Sequence, residues 1–233
     1  MIINDDCLAA LKDIPDNSID CVVTSPPYNL TSLRGKIKPG RTHTTQRIDI
    51  DYATYGDDLP EEDYQQWQIQ LVNELYRVIK PTGSIFYNHK IRRWKGVLYH
   101  PWDFLSQTDA KLYQQITWNR SNSSNVRKEY LLPTTEHIYW FRKEKPKVFK
   151  SEVEHKTEVW NIRPERERNH PAPYPVELAE NCILLTTQPG DIVLDPFFGS
   201  GTTGVAAKRL GRRFVGIELS KEYCELAERR LNE

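Results

Sequence analysis

Little in this chain suits a disulfide framework, a zinc site or a membrane. Its four cysteines, Cys7, Cys21, Cys182 and Cys224, lie far apart and form no CxxC pair, so neither a secreted staple nor a metal-ligand spacing is present, and no metal is expected. No apolar run approaches the roughly 18 residues of a membrane span, and the start MIINDDCLAAL lacks a basic segment followed by a long apolar stretch. A cytoplasmic protein is expected. Charge of one sign is lacking as well: 32 Lys and Arg stand against 32 Asp and Glu. Bulk charge therefore cannot hold a nucleic acid, and only a locally basic face could. Internal repeats and low-complexity tracts are also missing. What remains is a chain of 233 residues with 6 Trp, 12 Tyr and 7 Phe, enough for one domain over residues 1–233 around a single core.

Short β-rich runs alternate with helical spacing, the pattern of an α/β domain with a mostly parallel sheet. Residues 19–24 (IDCVVT) read as a buried strand halted by Pro26-Pro27. Residues 60–79 open with Pro60 and three acids and then place Leu71, Val72, Leu75, Val78 and Ile79 on one helical face, with a stop at residues 80–83 (KPTG). Strands are expected at 84–87, 113–118 and 137–141, and residues 143–169 as an irregular excursion. The last third reads as helix 176–186, strand 192–195, a glycine loop, a helix through 206–210, strand 214–217 and a final helix 221–231. Tryptophans 94, 102, 118 and 140 are expected in the core.

The glycine loop carries the first chemical signal. Asp195-Pro-Phe-Phe-Gly-Ser-Gly-Thr-Thr-Gly204 joins a strand to a helix, and the next strand ends in Glu218, 23 residues after Asp195. Strand, glycine turn, helix, strand and acid form a nucleoside-binding half-unit, the acid meeting a ribose hydroxyl pair. The spacing is not GxGxxG and no P-loop lysine is present, which disfavours a dinucleotide or a triphosphate. Phe197 and Phe198, with the preceding acid, suit a nucleoside with a cationic or zwitterionic tail, the form of S-adenosylmethionine.

The second signal is Thr24-Ser25-Pro26-Pro27-Tyr28-Asn29 at the end of a strand. Strand C-termini of an open α/β sheet line the ligand crevice, so this turn should face the same cleft as the glycine loop. Two prolines stiffen it and leave carbonyls as acceptors, Ser25 adds a hydroxyl and Tyr28 a flat face. Such a set grips a planar ring bearing an amine.

TSPPYN at 24–29, DPFFGSGTTG at 195–204 and GIELS at 216–220 resemble the DNA amino-methyltransferases that modify N4 of cytosine or N6 of adenine. The motif order, catalytic first and cofactor last, resembles their circularly permuted β group. The resemblance implies a Rossmann-like, S-adenosylmethionine-dependent methyltransferase fold: a mostly parallel seven-stranded sheet with helices on both faces, residues 1–3 lying beside the strand that ends at Glu218. It implies catalysis by Ser25, Pro26, Pro27 and Tyr28. It places the adenine near Asp6, with Asp5 as the alternative acid, and Cys7, the ribose at Glu218 and Leu219, and the methionine end at Asp195 and the loop residues Phe197, Gly199, Ser200, Gly201, Thr202 and Thr203. Thr24, His170 and Pro171 would complete the cofactor pocket. Ser25 and the Pro26 carbonyl would hold the amino hydrogens of a base flipped from the duplex against Tyr28.

Double-stranded DNA is the implied partner, no membrane is, and a homodimer is compatible. The zero net charge conceals segregation. Residues 31–48 hold Arg34, Lys36, Lys38, Arg41 and Arg47 and no acid, and residues 89–102 include Arg92 and Arg93. Residues 111–128 add Arg120 and Arg127 among Asn119 and Asn122, chemistry suited to phosphates and base edges. Recognition would be shared among excursions at 31–56, 89–134 and 143–169. Ser-Pro-Pro-Tyr is associated with cytosine N4 in the family, so cytosine is favoured over adenine. Further alternatives are a catalytically silent DNA-binding module and a methyltransferase for RNA or small molecules.

Overall fold

The structure, a computed structural model, describes residues 1–30, 59–94, 96–121, 131, 133–146, 153, 157–164 and 174–232. Its strands are β1 (Ile2–Ile3), β2 (Ile19–Thr24), β3 (Ile79–His89), β4 (Arg92–Trp94), β5 (Val97–Tyr99), β6 (Leu112–Asn119), β7 (Thr135–Arg142), β8 (Val159–Asn161), β9 (Ile192–Asp195) and β10 (Arg213–Ile217). Helices are α1 (Cys7–Lys12), α2 (Glu61–Val78), α3 (Trp102–Leu105), α4 (Val176–Thr186), α5 (Thr202–Arg209) and α6 (Lys221–Asn232). Among the described residues the main sheet runs β1-β10-β9-β2-β3-β7-β6-β8, and β4 and β5 form a separate hairpin. Every strand of the main sheet is parallel to its fellows except β7, which runs antiparallel between β3 and β6.

Side-chain alternation sorts the strands onto two cores. Val22, Ile85 and Tyr87 face one side, packed against Leu71, Val72 and Leu75 of α2. Cys21, Val23 and Phe86 face the other, against Ala179, Cys182 and Ile183 of α4 and Ala206 and Ala207 of α5. All four cysteines are buried and unpaired.

Two expectations shift for local reasons. Among the described residues the main sheet has eight strands where seven were implied, because residues 159–161, read as irregular, extend the edge beside β6 and sink Trp160 between exposed neighbours. Residues 80–83 do not merely stop α2: β3 begins at Ile79, and its register against β2 jumps from Ile19↔Ile79 to Cys21↔Ser84. The surplus residues bulge out of the ladder. Trp118 and Trp140 are buried, whereas Trp102 is 39% exposed at the start of a single-turn helix.

The order of strands turns between β9 and β2. From β9 the chain proceeds outward through β10, and from β2 it proceeds outward through β3. A crevice opens at such a reversal beyond the carboxyl ends of the strands. Asp195 and Thr24 are the last residues of those two strands.

Candidate active site

Thr24 Oγ1 donates to Asp195 Oδ1 at 2.9 Å, tying the two sequence motifs together at the floor of the crevice. Asp195 is 1% exposed. Its carboxylate also accepts from Tyr174 Oη (2.9 Å), Thr203 Oγ1 (2.5 Å) and the Phe197 backbone N–H (3.1 Å). Burial lifts its pKa to about 6, against the pull of these donors.

The loop after Asp195 turns through glycines at positive φ, Gly199 at 50° and Gly201 at 84°, and Gly201 precedes the first turn of α5. Gly204 has another purpose. A Cβ there, or at Gly216, would collide with the ring of Phe198. That ring is 3% exposed and stacks on Phe214 at 5.5 Å, so Phe198 is a wedge between α5 and β10 and belongs to the core. Phe197 is half-buried, edge-on to Trp67. Glu218, just past β10, is 2% exposed and accepts from the Gly199 N–H (2.8 Å) and the Ser220 N–H (2.9 Å). Two buried carboxylates at the ends of adjacent parallel strands, with an open glycine turn between them, fit S-adenosylmethionine: one acid for its cationic end, one for a ribose.

Asp6 caps α1, accepting from the Leu8 and Ala9 N–H groups at 3.0 Å each, and Asp5 Oδ1 accepts from the Asp6 N–H. Asp6 is the half-buried acid of the two and Asp5 the exposed one. The Cys7 thiol is buried and its pKa is pushed up to about 12, which leaves it inert. Leu219 is half-buried beside Glu218, and its carbonyl accepts from Asn4. Ser200 is held by Arg230, whose Nη1 also reaches Thr202 Oγ1. His170 and Pro171 lie outside the described residues.

The Ser-Pro-Pro-Tyr turn is fastened from α2. Tyr64 Oη lies 2.9 Å from the Pro27 carbonyl and 2.7 Å from His89 Nε2, and Gln68 Nε2 donates to the same carbonyl at 3.4 Å. Asn29 ends the turn at φ 53° and donates to the Leu59 carbonyl. Ser25 Oγ and Tyr28 Oη are 2.6 Å apart. Tyr28 Oη lies 3.3 Å from Glu136 Oε2, and Asn88 Nδ2 donates to Tyr28 Oη (2.8 Å) and Glu136 Oε2 (3.0 Å). Lys90 Nζ sits 4.9 Å over the Tyr28 ring. Burial and the Glu136 charge hold the Tyr28 phenol well above its ordinary pKa.

Asn88 and Glu136 were not anticipated from the sequence. Asn88 follows the apolar run of β3, a polar residue at a strand's carboxyl end. Glu136 comes from the amino end of β7, and only the antiparallel course of that strand brings it to the crevice.

Three of the basic and amide residues expected at DNA are engaged otherwise. Arg92 is 4% exposed, forms a two-point ion pair with Glu61 (2.6 and 2.8 Å) and lies 4.7 Å over the Tyr64 ring. It is corrected from a phosphate contact to an internal anchor of the β4–β5 hairpin. Arg120 pairs with Glu136 Oε1 at 3.0 Å, and Asn119 donates to Asn161 Oδ1 across β6 and β8. Arg93 is exposed. Arg34, Lys36, Lys38, Arg41, Arg47, Asn122 and Arg127 lie outside the described residues.

The fold is an open α/β sheet whose crevice sets a glycine loop beside a Ser-Pro-Pro-Tyr turn. Sequence comparison gives the family: the model of the N6/N4 DNA methylases matches residues 19–229, and the chain belongs to that family. Type II methyltransferase M.BglII of Bacillus subtilis is 31% identical over 97% of this chain and 67% of its own length. Type II methyltransferase M2.DpnII of Streptococcus pneumoniae is 30% identical over 99% of this chain and 89% of its own. Among solved structures, M1.HpyAVI in complex with SAM aligns with a TM-score of 0.65 at 25% identity, covering 99% of each chain. The cytosine-N4-specific PvuII DNA methyltransferase shares the fold with a TM-score of 0.77 at 23% identity, over 99% of this chain and 85% of that one. The protein is thus an S-adenosylmethionine-dependent DNA methyltransferase.

Proposed function

We propose that the protein methylates N4 of a cytosine flipped out of double-stranded DNA, at a short specific site. The observation that carries this reading is the Thr24–Asp195 hydrogen bond, which puts the amine-gripping turn and the cofactor loop in one crevice. When bound, S-adenosylmethionine supplies an electrophilic methyl on a sulfonium. The chain's own residues do the rest. Asp195 and Glu218 orient the cofactor, with Asp6, Thr24, Phe197 and the loop residues from Gly199 to Thr203 around it. Ser25 and the Pro26 carbonyl accept the amino hydrogens, and Tyr28 lies against the base. A nucleobase amine is a weak nucleophile because its lone pair is delocalised into the ring, so holding it pyramidal and in line with the methyl supplies much of the rate.

Ser25 stands where a carboxylate would favour adenine, and the cytosine-N4-specific PvuII enzyme shares the fold. Exposed Arg93 and the basic run at 31–48 supply phosphate contacts. A DNA substrate is in keeping with a cytoplasmic protein. Purified protein incubated with S-adenosylmethionine and mixed-sequence duplex DNA, followed by nucleoside mass spectrometry, tests the reading. N4-methylcytosine is the expected product; N6-methyladenine would replace cytosine by adenine, and binding without transfer would leave only a silent DNA-binding module.

A further inference from the structure

The Ser-Pro-Pro-Tyr turn itself contains no carboxylate, yet a methylated amine must shed a proton. A buried carboxylate stands two hydrogen bonds away. Ser25 Oγ, Tyr28 Oη and Glu136 Oε2 form a line with separations of 2.6 and 3.3 Å, and Glu136 is 6% exposed.

The direction of this line follows from counting protons. Glu136 Oε1 is paired with Arg120 at 3.0 Å, and its Oε2 accepts from Tyr28 Oη at 3.3 Å. Tyr28 has only one proton, so Ser25 must donate to Tyr28. Run the other way, the Tyr28–Glu136 contact would set two oxygens together with no hydrogen between them. The Asn88 amide agrees with this sense: its Nδ2 faces Ser25 Oγ (3.3 Å), Tyr28 Oη (2.8 Å) and Glu136 Oε2 (3.0 Å) as a donor to all three, and turning the amide over would aim its carbonyl at the carboxylate. Ser25 Oγ thereby gives its own proton to Tyr28, accepts from Asn88 Nδ2 at 3.3 Å and keeps a lone pair for a substrate N–H.

We propose that Glu136, acting through Tyr28, is the positioning residue that keeps Ser25 a hydrogen-bond acceptor and is the terminal proton acceptor of the reaction. This rests on the amine-methylation reading. As the amine lone pair forms the N–C bond, the C–S bond of the sulfonium breaks and its electron pair stays on sulfur. The proton lost from nitrogen passes to Ser25 Oγ, the Ser25 proton to Tyr28 Oη and the Tyr28 proton to the Glu136 carboxylate. The transfers are concerted, because the buried Tyr28 phenol does not persist as a free phenolate. In Glu136→Gln an amide N–H can face Tyr28, which reverses the line and points the Ser25 proton at the substrate.

The test uses Glu136→Gln, Tyr28→Phe and the double variant, in single-turnover methyl transfer at saturating S-adenosylmethionine. Each single change is expected to slow transfer by about tenfold to hundredfold. Melting temperature and the dissociation constants for S-adenosylmethionine and for duplex DNA should remain near wild type. The double variant should be no slower than the slower single one, because both changes break one chain. A wild-type rate in Glu136→Gln, multiplied losses in the double variant, or losses matched by weaker cofactor binding or lower melting temperature would overturn the proposal. Failure of the wild-type protein to methylate any DNA amine would instead overturn the functional reading beneath it.

Discussion

Asp195 shows how much one residue's surroundings decide. The side chain is taken from water by β2, β9 and the glycine loop, and the desolvation cost raises its pKa from 3.8 to about 6 although four donors point at it. The sign matters twice. For the fold, an acid whose folded pKa is raised stabilises below its unfolded value of 3.8, and that contribution is lost as pH rises through about 6. For the cofactor, the cationic end is attracted only to the ionised form. S-adenosylmethionine affinity should therefore hold steady above pH 7 and weaken below the pKa of about 6, approaching about tenfold per pH unit. Calorimetric titration across pH 5 to 8 measures it, and a flat dissociation constant would remove Asp195 from the cofactor's cationic end. The placement of Asp195, Glu218 and Ser25 at the crevice was legible in the sequence because each ends or follows a strand beside a glycine or proline turn. Glu136 and Asn88 were not, since their placement depends on strand direction, and Phe198 was misjudged because a loop aromatic and a core wedge look alike until Gly204 and Gly216 are seen to make room for it.

Among the elements, the β4–β5 hairpin separates structural from surface charge. Arg92 and Arg93 are adjacent and alike in sequence, but strand alternation sends one inward and the other outward. Arg92 meets Glu61 in the first turn of α2 and packs between Tyr64 and Tyr99. Arg92→Ala should cost about 3 kcal/mol of stability by orphaning its partner in a largely desolvated pair, measured by denaturant unfolding. Arg93→Ala should leave stability unchanged and reduce the salt slope of DNA binding by about one. A slope that falls with Arg92 and not with Arg93 would reverse the assignment. Periodicity located α2, α4, β9 and α6 closely, since their apolar faces are continuous. It missed β8, whose three residues bury one tryptophan, too short a signal for alternation to register.

For the whole molecule, neutrality proved a poor guide and motif order a good one. The two motifs are some 170 residues apart in the chain, and the reversal of strand order at β9 and β2 is what brings them within one hydrogen bond. That meeting was expected from the rule that strand ends line the crevice; the eight-stranded edge and the hairpin were not, because nothing local announces them. In the proposed reaction this single crevice binds the cofactor on one side and activates the target amine on the other. Single-turnover transfer of labelled methyl to duplex DNA, measured for Ser25→Ala together with its S-adenosylmethionine dissociation constant, separates the two sides. Transfer should slow by about a hundredfold or more with cofactor affinity within about twofold of wild type; undiminished transfer, or a loss explained wholly by failure to bind the cofactor, would refute the shared crevice.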